Sequence, residues 1–479
     1  MLQFRSRLFV APFAAAMLMF FTAPALASGS ALDGATLPVW WAVPFICMLL
    51  SIAILPLTLP DLWSNHFGKI ALLWSFAFLV PCALQAGLGT TFAVLLHTIF
   101  LEYVPFLVLL FALFTISGGV RITGRLSGAP LTNVALLAVG TFLASLMGTT
   151  GASMLLIRPL LRANAHRRYK VHTIVFFIFL VANIGGSLTP LGDPPLFLGF
   201  LKGVSFFWTT RHLFSEMLFA SGVLLTLFFI LDAQLFIKEG RPTAPALAVG
   251  RKARLGIEGG VNLALLLGVI GAVLLSGMWN PGIVLHAAQV EITLQDLTRD
   301  VLLLALAGLS LLLTAAETRK KNDFSWEPIA EVGKLFFGIF ITMIPAIAML
   351  KAGPSGAFHD IIALVTRDGQ PVNHMYFWLS GILSSFLDNA PTYLVFFNTA
   401  GGDAGRLMLE APLTLAAISC GSVFMGANSY IGNAPNFMIR SIAESQGVKM
   451  PSFFGYMAWS FGILIPLFLV MTFIFFLGS

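Results

Sequence analysis

Charged residues are scarce in this chain. Only 10% of its 479 residues are Asp, Glu, Lys or Arg, whereas soluble domains carry about a quarter. Hydrophobic residues make up 58%, so the composition predicts an all-α polytopic membrane protein in contact with lipid. The net charge of +6 does not indicate nucleic-acid binding, because the basic residues lie mostly between apolar runs, where they set membrane topology.

Patterns that carry enzyme chemistry are also missing from the sequence. The three cysteines, Cys47, Cys82 and Cys420, lie in apolar surroundings without the spacing of a metal site or of a disulfide framework. The sequence contains no recognisable glycine-rich phosphate loop, nucleophile–base pair or soluble catalytic domain. We therefore expect no enzymatic activity, no catalytic residue and no cofactor. Any transport should be driven by an ion gradient or by a partner.

The N-terminus has the pattern of a secretory signal. Arg5 and Arg7 precede an apolar run that ends in Ala25-Leu26-Ala27, which predicts a signal peptide over residues 1–27. An uncleaved first helix is the alternative. In either case segment 32–40 should lie outside the cell, and these features together favour the bacterial inner membrane.

The apolar run over residues 173–200 is long enough to span a bilayer, yet it contains the irregular stretch Asn183–Pro195. This stretch holds three glycines, three prolines and Asp193. Proline interrupts a helix, and a broken helix persists in hydrocarbon only where protein or trapped water satisfies its free backbone groups. A carboxylate at that depth is by default a functional-site hypothesis.

A second irregular stretch, Gly426–Pro435, aligns without a gap with the end of the first. The alignment places Asp193 on Asn433 and Thr189 on Ser429. Paired interruptions in the two halves of a membrane protein are the sequence signal of a transporter's binding site, which lies near the middle of the bilayer.

Apolar runs of bilayer length divide the chain into two similar halves. Spans are predicted at 39–59, 70–89, 91–115, 213–236, 260–277, 300–316, 335–351 and 453–477, with broken spans at 173–200 and 411–439. The basic loops fall on the cytoplasmic side, as the positive-inside rule requires, only if blocks 131–161 and 375–400 each enter and leave on the same side. We therefore predict two re-entrant hairpins of opposite direction.

This order predicts an inverted-topology repeat. Each half, 39–236 and 260–477, should contain about five spans plus one re-entrant hairpin and one broken helix. Residues 237–259 should form a cytoplasmic linker. The binding site is expected where the two repeats meet.

The two hairpins also align with each other. The pairs are Thr149 with Asp388, Thr150 with Asn389, and Ser153 with Thr392. Oxygen atoms at such tips can coordinate sodium, whereas helix N-termini would favour an anion. The candidate ion- or substrate-binding residues are Thr149, Thr150, Ser153, Asn183, Thr189, Asp193, Asp388, Asn389, Thr392, Asn428, Ser429, Asn433 and Asn436.

Two of these candidates, Asp193 and Asp388, are acids, one from each half. Burial favours a protonated carboxyl group and a bound cation favours an ionised one, so each could exchange a proton for Na⁺. The alternative is that each only caps a helix. Arg158, just after the first hairpin tip, could contact an anion or reach the cytoplasmic face. Glu102 could relay protons, although an interfacial position is favoured.

The stretch Asn183–Pro195, together with Asp388–Thr392 and Gly426–Asn428, resembles the signature of the ion transporter superfamily. That group includes NhaD-type sodium/proton antiporters, arsenite efflux permeases with the melanosomal P protein, dicarboxylate/sodium symporters and citrate–metal transporters (CitMHS-like). The resemblance implies a scaffold, a mobile transport part with elevator-type alternating access, and commonly a homodimer. It also implies that the hairpin tips and unwound loops hold the ion and the substrate.

The main hypothesis is a secondary antiporter that exchanges Na⁺ (or Li⁺) for H⁺ through Asp193 and Asp388. The alternative is a carrier of citrate or another carboxylate, coupled to Na⁺, H⁺ or a metal, in which Arg158 and the hairpin N-termini bind the anion. The hairpin tips lack the Ser-Asn-Thr sequence of the carboxylate symporters, which disfavours sodium-coupled dicarboxylate uptake. A membrane-embedded enzyme or a non-transporting scaffold is the least favoured interpretation.

Overall fold

The computed structural model describes residues 32–124, 126–242, 256–287, 290–367 and 369–477. The predicted signal peptide, residues 1–27, lies outside the described residues. Much of the predicted linker also lies outside them, because residues 243–255 are not described.

The first half contains three long helical segments, a helical hairpin, a broken helix and a long final helix. Its α-helices are α1 (Val43–Thr58), α2 (Pro60–Gln85), α3 (Leu88–Thr98), α4 (Val104–Ser117), α5 (Pro130–Met147), α6 (Thr149–Ala163), α7 (Val171–Leu180), α8 (Pro194–Leu201) and α9 (Trp208–Lys238). Short 3-10 turns lie at Val39–Ala42 and Ile184–Leu188, and a π-helical turn at Ile99–Tyr103 joins α3 to α4. Helices α5 and α6 form the first hairpin, and α7 and α8 flank the first break.

The second half repeats this order. Its α-helices are α10 (Val261–Met278), α11 (Leu294–Leu313), α12 (Ala316–Lys321), α13 (Glu327–Lys351), α14 (His359–Leu364), α15 (Asn373–Phe386), α16 (Asn389–Thr399), α17 (Ala404–Leu409), α18 (Pro412–Phe424), α19 (Ala434–Ser445) and α20 (Phe453–Met471). Short 3-10 turns lie at Gly353–Ser355 and Met425–Asn428, and a π-helical turn at Thr472–Phe476 follows α20. Helices α15 and α16 form the second hairpin, and the second break separates α18 from α19.

Three short antiparallel strand pairs connect the loops. They are β1 (Arg121–Thr123) with β2 (Gly256–Glu258), β3 (Val284–Ala287) with β4 (Val290–Thr293), and β5 (Thr366–Arg367) with β6 (Gln370–Pro371). In the first pair, Arg121 lies opposite Glu258, and their side chains form an ion pair of 3.1 Å. The loop before the first hairpin and the start of the second half therefore lie on the same face of the protein.

Nine helical segments within the described ranges are long and apolar enough to cross a membrane. They are Val39–Thr58, Pro60–Gln85, Leu88–Ser117, Pro130–Met147, Val171–Leu188, Trp208–Lys238, Val261–Met278, Glu327–Lys351 and Phe453–Phe476. The prediction of an all-α polytopic membrane protein is confirmed. The predicted second span began too late, at residue 70, because α2 begins at Pro60. Proline suits the first turn of a helix, and the Asn65 side chain donates to the helix backbone at Asp61 (2.8 Å).

The open ends, or bases, of the two hairpins lie on opposite faces. At the first base, Asn133 Nδ2 donates to Asp232 Oδ2 (2.9 Å), and His172 Nε2 lies 3.0 Å from the same carboxylate. At the second base, residues 401–405 line a cavity together with Lys202. His172 lies at the start of α7, before the first break, and Lys202 lies just past the end of α8, after the break. These two residues mark opposite ends of the broken helix, so the two hairpins enter from opposite faces. The loop charges predicted this arrangement.

The broken helices form the centre of the protein. In the apolar segment Val171–Leu188, 94% of the residues are buried, compared with 22% of the residues in the most apolar 18-residue stretch of Pro60–Gln85. The outer helix α2 therefore presents apolar side chains such as Leu84, which is 82% exposed. Protein encloses the free backbone groups of the breaks, as a broken helix requires inside a bilayer.

Candidate functional site

Asp193 lies where both hairpins and both breaks meet. Its carboxylate accepts hydrogen bonds from Thr149 Oγ1 (2.9 Å), Asn433 Nδ2 (3.2 Å) and Asn389 Nδ2. The aspartate is only 1% exposed. We call these four residues the Asp193 cluster. It unites side chains from two parts of each half, and Asp193 and Asn433, which sequence analysis paired, come together here.

Four helices begin at this cluster. Thr149 and Asn389 are the first residues of α6 and α16, while Asp193 and Asn433 immediately precede α8 and α19. A helix N-terminus carries a partial positive charge and free N–H groups. The convergence of four such ends gives the cluster a positive potential that favours anions, whether the Asp193 carboxylate or a ligand.

The second predicted acid, Asp388, faces its own helix. Its Oδ1 accepts a hydrogen bond from the backbone N–H of Ala390 (3.1 Å), so it caps α16. Asp193 also stands at a helix start but makes no such cap, because its carboxylate bonds to the cluster instead. Asp388 is nevertheless adjacent to Asn389, and the two carboxylates are close enough to repel each other.

Asparagine side chains join the two breaks directly. Asn183 Nδ2 donates to Asn436 Oδ1 (2.8 Å), and Asn433 Nδ2 approaches Asn183 Oδ1 at 3.3 Å. Asn436 Nδ2 in turn donates to the carbonyl oxygens of Gly426 and Ser429, both at 2.9 Å. Asn183 and Asn436 thus fasten the unwound backbone around the cluster.

Hydroxyl groups bind each break to the hairpin of its own half. Thr189 Oγ1 donates to the carbonyl oxygen of Ser145, and Ser429 Oγ donates to that of Ser385 (2.5 Å). The Ser145 hydroxyl donates back to the carbonyl oxygen of Gly185 in the break (2.5 Å). The Ser385 hydroxyl donates to Gly381 of its own helix (2.8 Å) and lies 3.1 Å from the carbonyl oxygen of Met425 in the break. Sequence analysis missed both serines, although they stand 240 positions apart, the spacing of Asp193 and Asn433.

This constant spacing corrects the predicted alignment of the hairpins. Helices α6 and α16 begin at Thr149 and Asn389, which also differ by 240 positions. Thr149 therefore corresponds to Asn389, and Gly148 corresponds to Asp388. The predicted pairing of Thr149 with Asp388 was wrong by one residue, because it matched polar side chains rather than helix starts.

Glycine is required at the equivalent position of each break. A Cβ atom added to Gly192 would collide with the carbonyl oxygen of Gly186, and one added to Gly432 would collide with that of Gly426. Each break therefore folds tightly onto itself. This contact places the next residue, Asp193 or Asn433, at the cluster.

The model of one known protein family matches nearly the whole chain. The family described as putative citrate transport, CitMHS_2, matches residues 34–476. The chain belongs to this family. The match confirms the predicted resemblance to an ion transporter family with CitMHS-like members, and it favours the citrate alternative over the main hypothesis of sodium/proton exchange. No curated protein matches the chain.

Other predicted site residues of this CitMHS_2 member lie around the cluster without contacting Asp193. Thr392 Oγ1 donates to its own helix at Asp388 (3.0 Å), and Asn428 Nδ2 donates to Ser385 Oγ (2.9 Å). Thr150 is half-buried beside Thr149. Among the predicted site residues, three buried oxygens have no hydrogen-bond partner in the described part of the chain: Ser153 Oγ, Asn389 Oδ1 and Asn428 Oδ1.

Arg158, the predicted anion contact, is not brought to the cluster. It follows Thr149 by nine residues on α6, a rise of about 13 Å. Its Nε lies 3.3 Å from the Asp323 carboxylate in the loop before α13. The arginine is therefore directed toward the face that carries the first base. Within the described chain, no group of three or more His, Cys, Asp or Glu residues is arranged to hold a metal ion.

Proposed function

We propose that this protein is a secondary transporter that carries citrate or a related carboxylate across the membrane, driven by a cation gradient. The observation that carries the proposal is the convergence of four helix N-termini on one aspartate. Helix N-termini pointing into a midplane site are a known means of holding the carboxylate of a substrate. The family match to citrate transport supports the same substrate class.

Asp193 supplies the coupling in this proposal. A carboxylate that shares a pocket with an anionic substrate must be neutralised by Na⁺ or H⁺. The unpartnered Asn389 Oδ1, next to Asp193 in the cluster, offers a second oxygen ligand for a cation. Cation binding would therefore precede or accompany binding of the carboxylate.

We propose that the protein moves as two parts, which are defined by the hydrogen bonds that link the hairpins to the breaks. The hairpins and breaks, linked through Asp193 and through the serine and asparagine contacts, would move as one unit. The remaining spans would form the scaffold of an elevator, and in a homodimer they would supply the dimer contacts. The pattern of residues 1–27 is that of a secreted or membrane protein, and we propose that the protein resides in the bacterial inner membrane.

Sodium/proton exchange is the second candidate. It is favoured by a specific observation: the side chains that bond to Asp193 are a hydroxyl and two amides, all neutral. A site for a trivalent anion commonly contains basic side chains, whereas a cation site needs only oxygen ligands. In this case Asp193 would bind Na⁺ and H⁺ in turn.

Purified protein in liposomes tests both candidates. With labelled citrate outside, we expect uptake that depends on an inward Na⁺ or H⁺ gradient and that unlabelled citrate blocks. In parallel, Na⁺ is added to vesicles that hold a preformed pH gradient and contain no citrate. Collapse of that gradient without any citrate uptake would replace the citrate proposal with the antiporter. Empty liposomes provide the control for leakage.

A further inference from the structure

A polar and widely open surface depression, called the cavity below, lies at the second base, away from the Asp193 cluster. Its volume is about 630 Å³, and it is lined by Lys202, Gly203, Lys351, residues 401–405 and Met408. It combines the end of the first broken helix, the end of the third span of the second half, and the loop after the second hairpin. Two of its lining side chains are lysines from different halves of the chain.

Two helices connect this cavity to the Asp193 cluster. Helix α8, which lies between Asp193 and Lys202, has eight residues and is about 12 Å long at 1.5 Å per residue. Helix α16 runs from Asn389 to the loop that begins at residue 400, and the two helices pack against each other. A ligand held in the cavity would therefore lie one half-helix from the proposed binding site, on the side from which the second hairpin enters.

Lys202 is held by an internal carboxylate. Its Nζ lies 2.6 Å from Glu102 Oε1, and the two side chains are only 23% and 18% exposed. Glu102 belongs to the π-helical turn Ile99–Tyr103, and such turns occur frequently at functional sites. The lysine amino group is therefore bonded to a carboxylate across two separate elements.

Lys351 has no ion-pair partner among the described residues, although it is close enough to Lys202 and Glu102 to interact with both charges. Asp403 also lines the cavity and keeps its negative charge, although its Oδ1 caps α17 by accepting from the N–H of Arg406 (2.9 Å). Two like charges at one cavity repel each other, and an anion between them removes that repulsion. At Lys202 a carboxylate is already bound, that of Glu102, whereas Lys351 remains without one.

We infer that this cavity is an outer carboxylate site, in which Lys351 and Lys202 bind two carboxylates of one polycarboxylate and Glu102 is the internal competitor. The inference rests on the proposed function for its substrate class. In the free protein Glu102 occupies Lys202. An arriving polycarboxylate binds Lys351 first and then displaces Glu102 from Lys202. The site collects substrate beside the path to the Asp193 cluster.

Cysteine labelling at the cavity tests this site without relying on transport. Gly405 lines the cavity and is exposed, and the nearest atom to an added Cβ is Asp403 Oδ1 at 3.3 Å. The full-length Gly405→Cys variant is treated with N-ethylmaleimide. Citrate should slow the labelling, whereas chloride at the same ionic strength should not. The parent chain gives the background, since Cys82 and Cys420 are buried and Cys47 is half-buried.

Two substitutions with opposite expected effects on citrate protection make the test specific. In the Gly405→Cys background, Lys351→Gln should raise the citrate concentration for half-protection about tenfold, as expected for loss of one charge-assisted bond. Glu102→Gln should lower that concentration, because the internal competitor is gone. Lys449→Gln, an exposed lysine near the C-terminal end, is the matched control and should change nothing.

The outcomes separate this inference from the proposed function. If liposomes take up citrate but citrate gives no protection, or if Lys351→Gln leaves protection unchanged, the outer site is wrong and the transport proposal stands. If Glu102→Gln weakens protection, the competitor role is wrong. If citrate protects the cavity in a Lys351-dependent manner but is not transported, the outer site stands and the transport proposal fails.

Discussion

The two halves of the chain share the backbone contacts of their breaks but differ in the charges that those contacts position. Gly192 and Gly432 close the breaks in the same way, and Thr189 and Ser429 bind them to the hairpins in the same way. Yet the residue presented to the cluster is Asp193 in one half and Asn433 in the other. The repeat therefore builds a symmetric frame around an asymmetric charge.

The bases of the hairpins differ more strongly. At the first base, the buried Arg167 donates to Asp232 (2.7 Å) and to Glu239 (3.0 Å). At the second base, the buried Thr414 donates to Asn373 (2.7 Å). The first hairpin is thus anchored by buried charges, whereas this contact of the second hairpin joins two neutral side chains.

The largest predicted effect concerns the buried charges of the first base. Arg167→Ala leaves the carboxylate of Asp232 buried without its cation, which should cost about 3–5 kcal/mol of unfolding free energy. Thermal unfolding of the purified protein measures it. Arg406→Ala removes one partner of the exposed Arg406–Glu410 pair and serves as control, at no more than about 0.5 kcal/mol.

The same measurement on Thr414→Ala extends the comparison to the second base. Loss of one neutral hydrogen bond there should cost about 1 kcal/mol. Equal losses for Arg167→Ala and Thr414→Ala would contradict the view that the two bases are anchored differently.

The next prediction breaks the charge asymmetry at the centre. Asp193→Asn keeps the shape of the side chain but removes the charge that we propose binds the coupling cation. Transport into liposomes should fall about 100-fold, equivalent to about 2.7 kcal/mol of lost binding. Asp61→Asn, at an exposed aspartate in the first turn of α2, is the control. Full transport by Asp193→Asn would remove the basis of the proposed coupling.

A smaller effect is expected where the halves are alike. Gly192→Ala and Gly432→Ala each place a methyl group against a backbone carbonyl of the same break, so each should destabilise the protein by about 1–3 kcal/mol. Gly271→Ala is the control, because nothing lies within 4 Å of an added Cβ there. A loss confined to one of the two break variants would show that the breaks are not mechanically equivalent.

The smallest effects should come from the serines that bind breaks to hairpins. Ser145→Ala removes the hydroxyl that donates to Gly185, and Ser385→Ala removes the hydroxyl that accepts from Asn428, each at a cost of about 1 kcal/mol. Thermal unfolding should rank both below the glycine variants. Replacement by threonine, which keeps the hydroxyl, should recover part of the loss unless the added methyl group clashes.

Local rules made much of the fold predictable. Proline and glycine within Asn183–Pro195 predicted the first break because several of them lie close together, whereas single prolines such as Pro81 and Pro345 lie inside continuous helices. The basic loops predicted hairpins of opposite direction, since only that arrangement places them on one side. Asp193 was predicted as a site residue because a carboxylate rarely lies in an apolar span without a function.

The sequence by itself determined where the helices break, how the halves repeat and that Asp193 lies within the first break. Only the tertiary structure decided that Thr149 corresponds to Asn389, that Asp388 turns back to cap its helix, and that Arg158 pairs with Asp323 away from the cluster. It also brought Lys202 to Glu102. The reason is that helix interruption depends on neighbouring residues, whereas the partner of a side chain depends on how helices distant in sequence pack together.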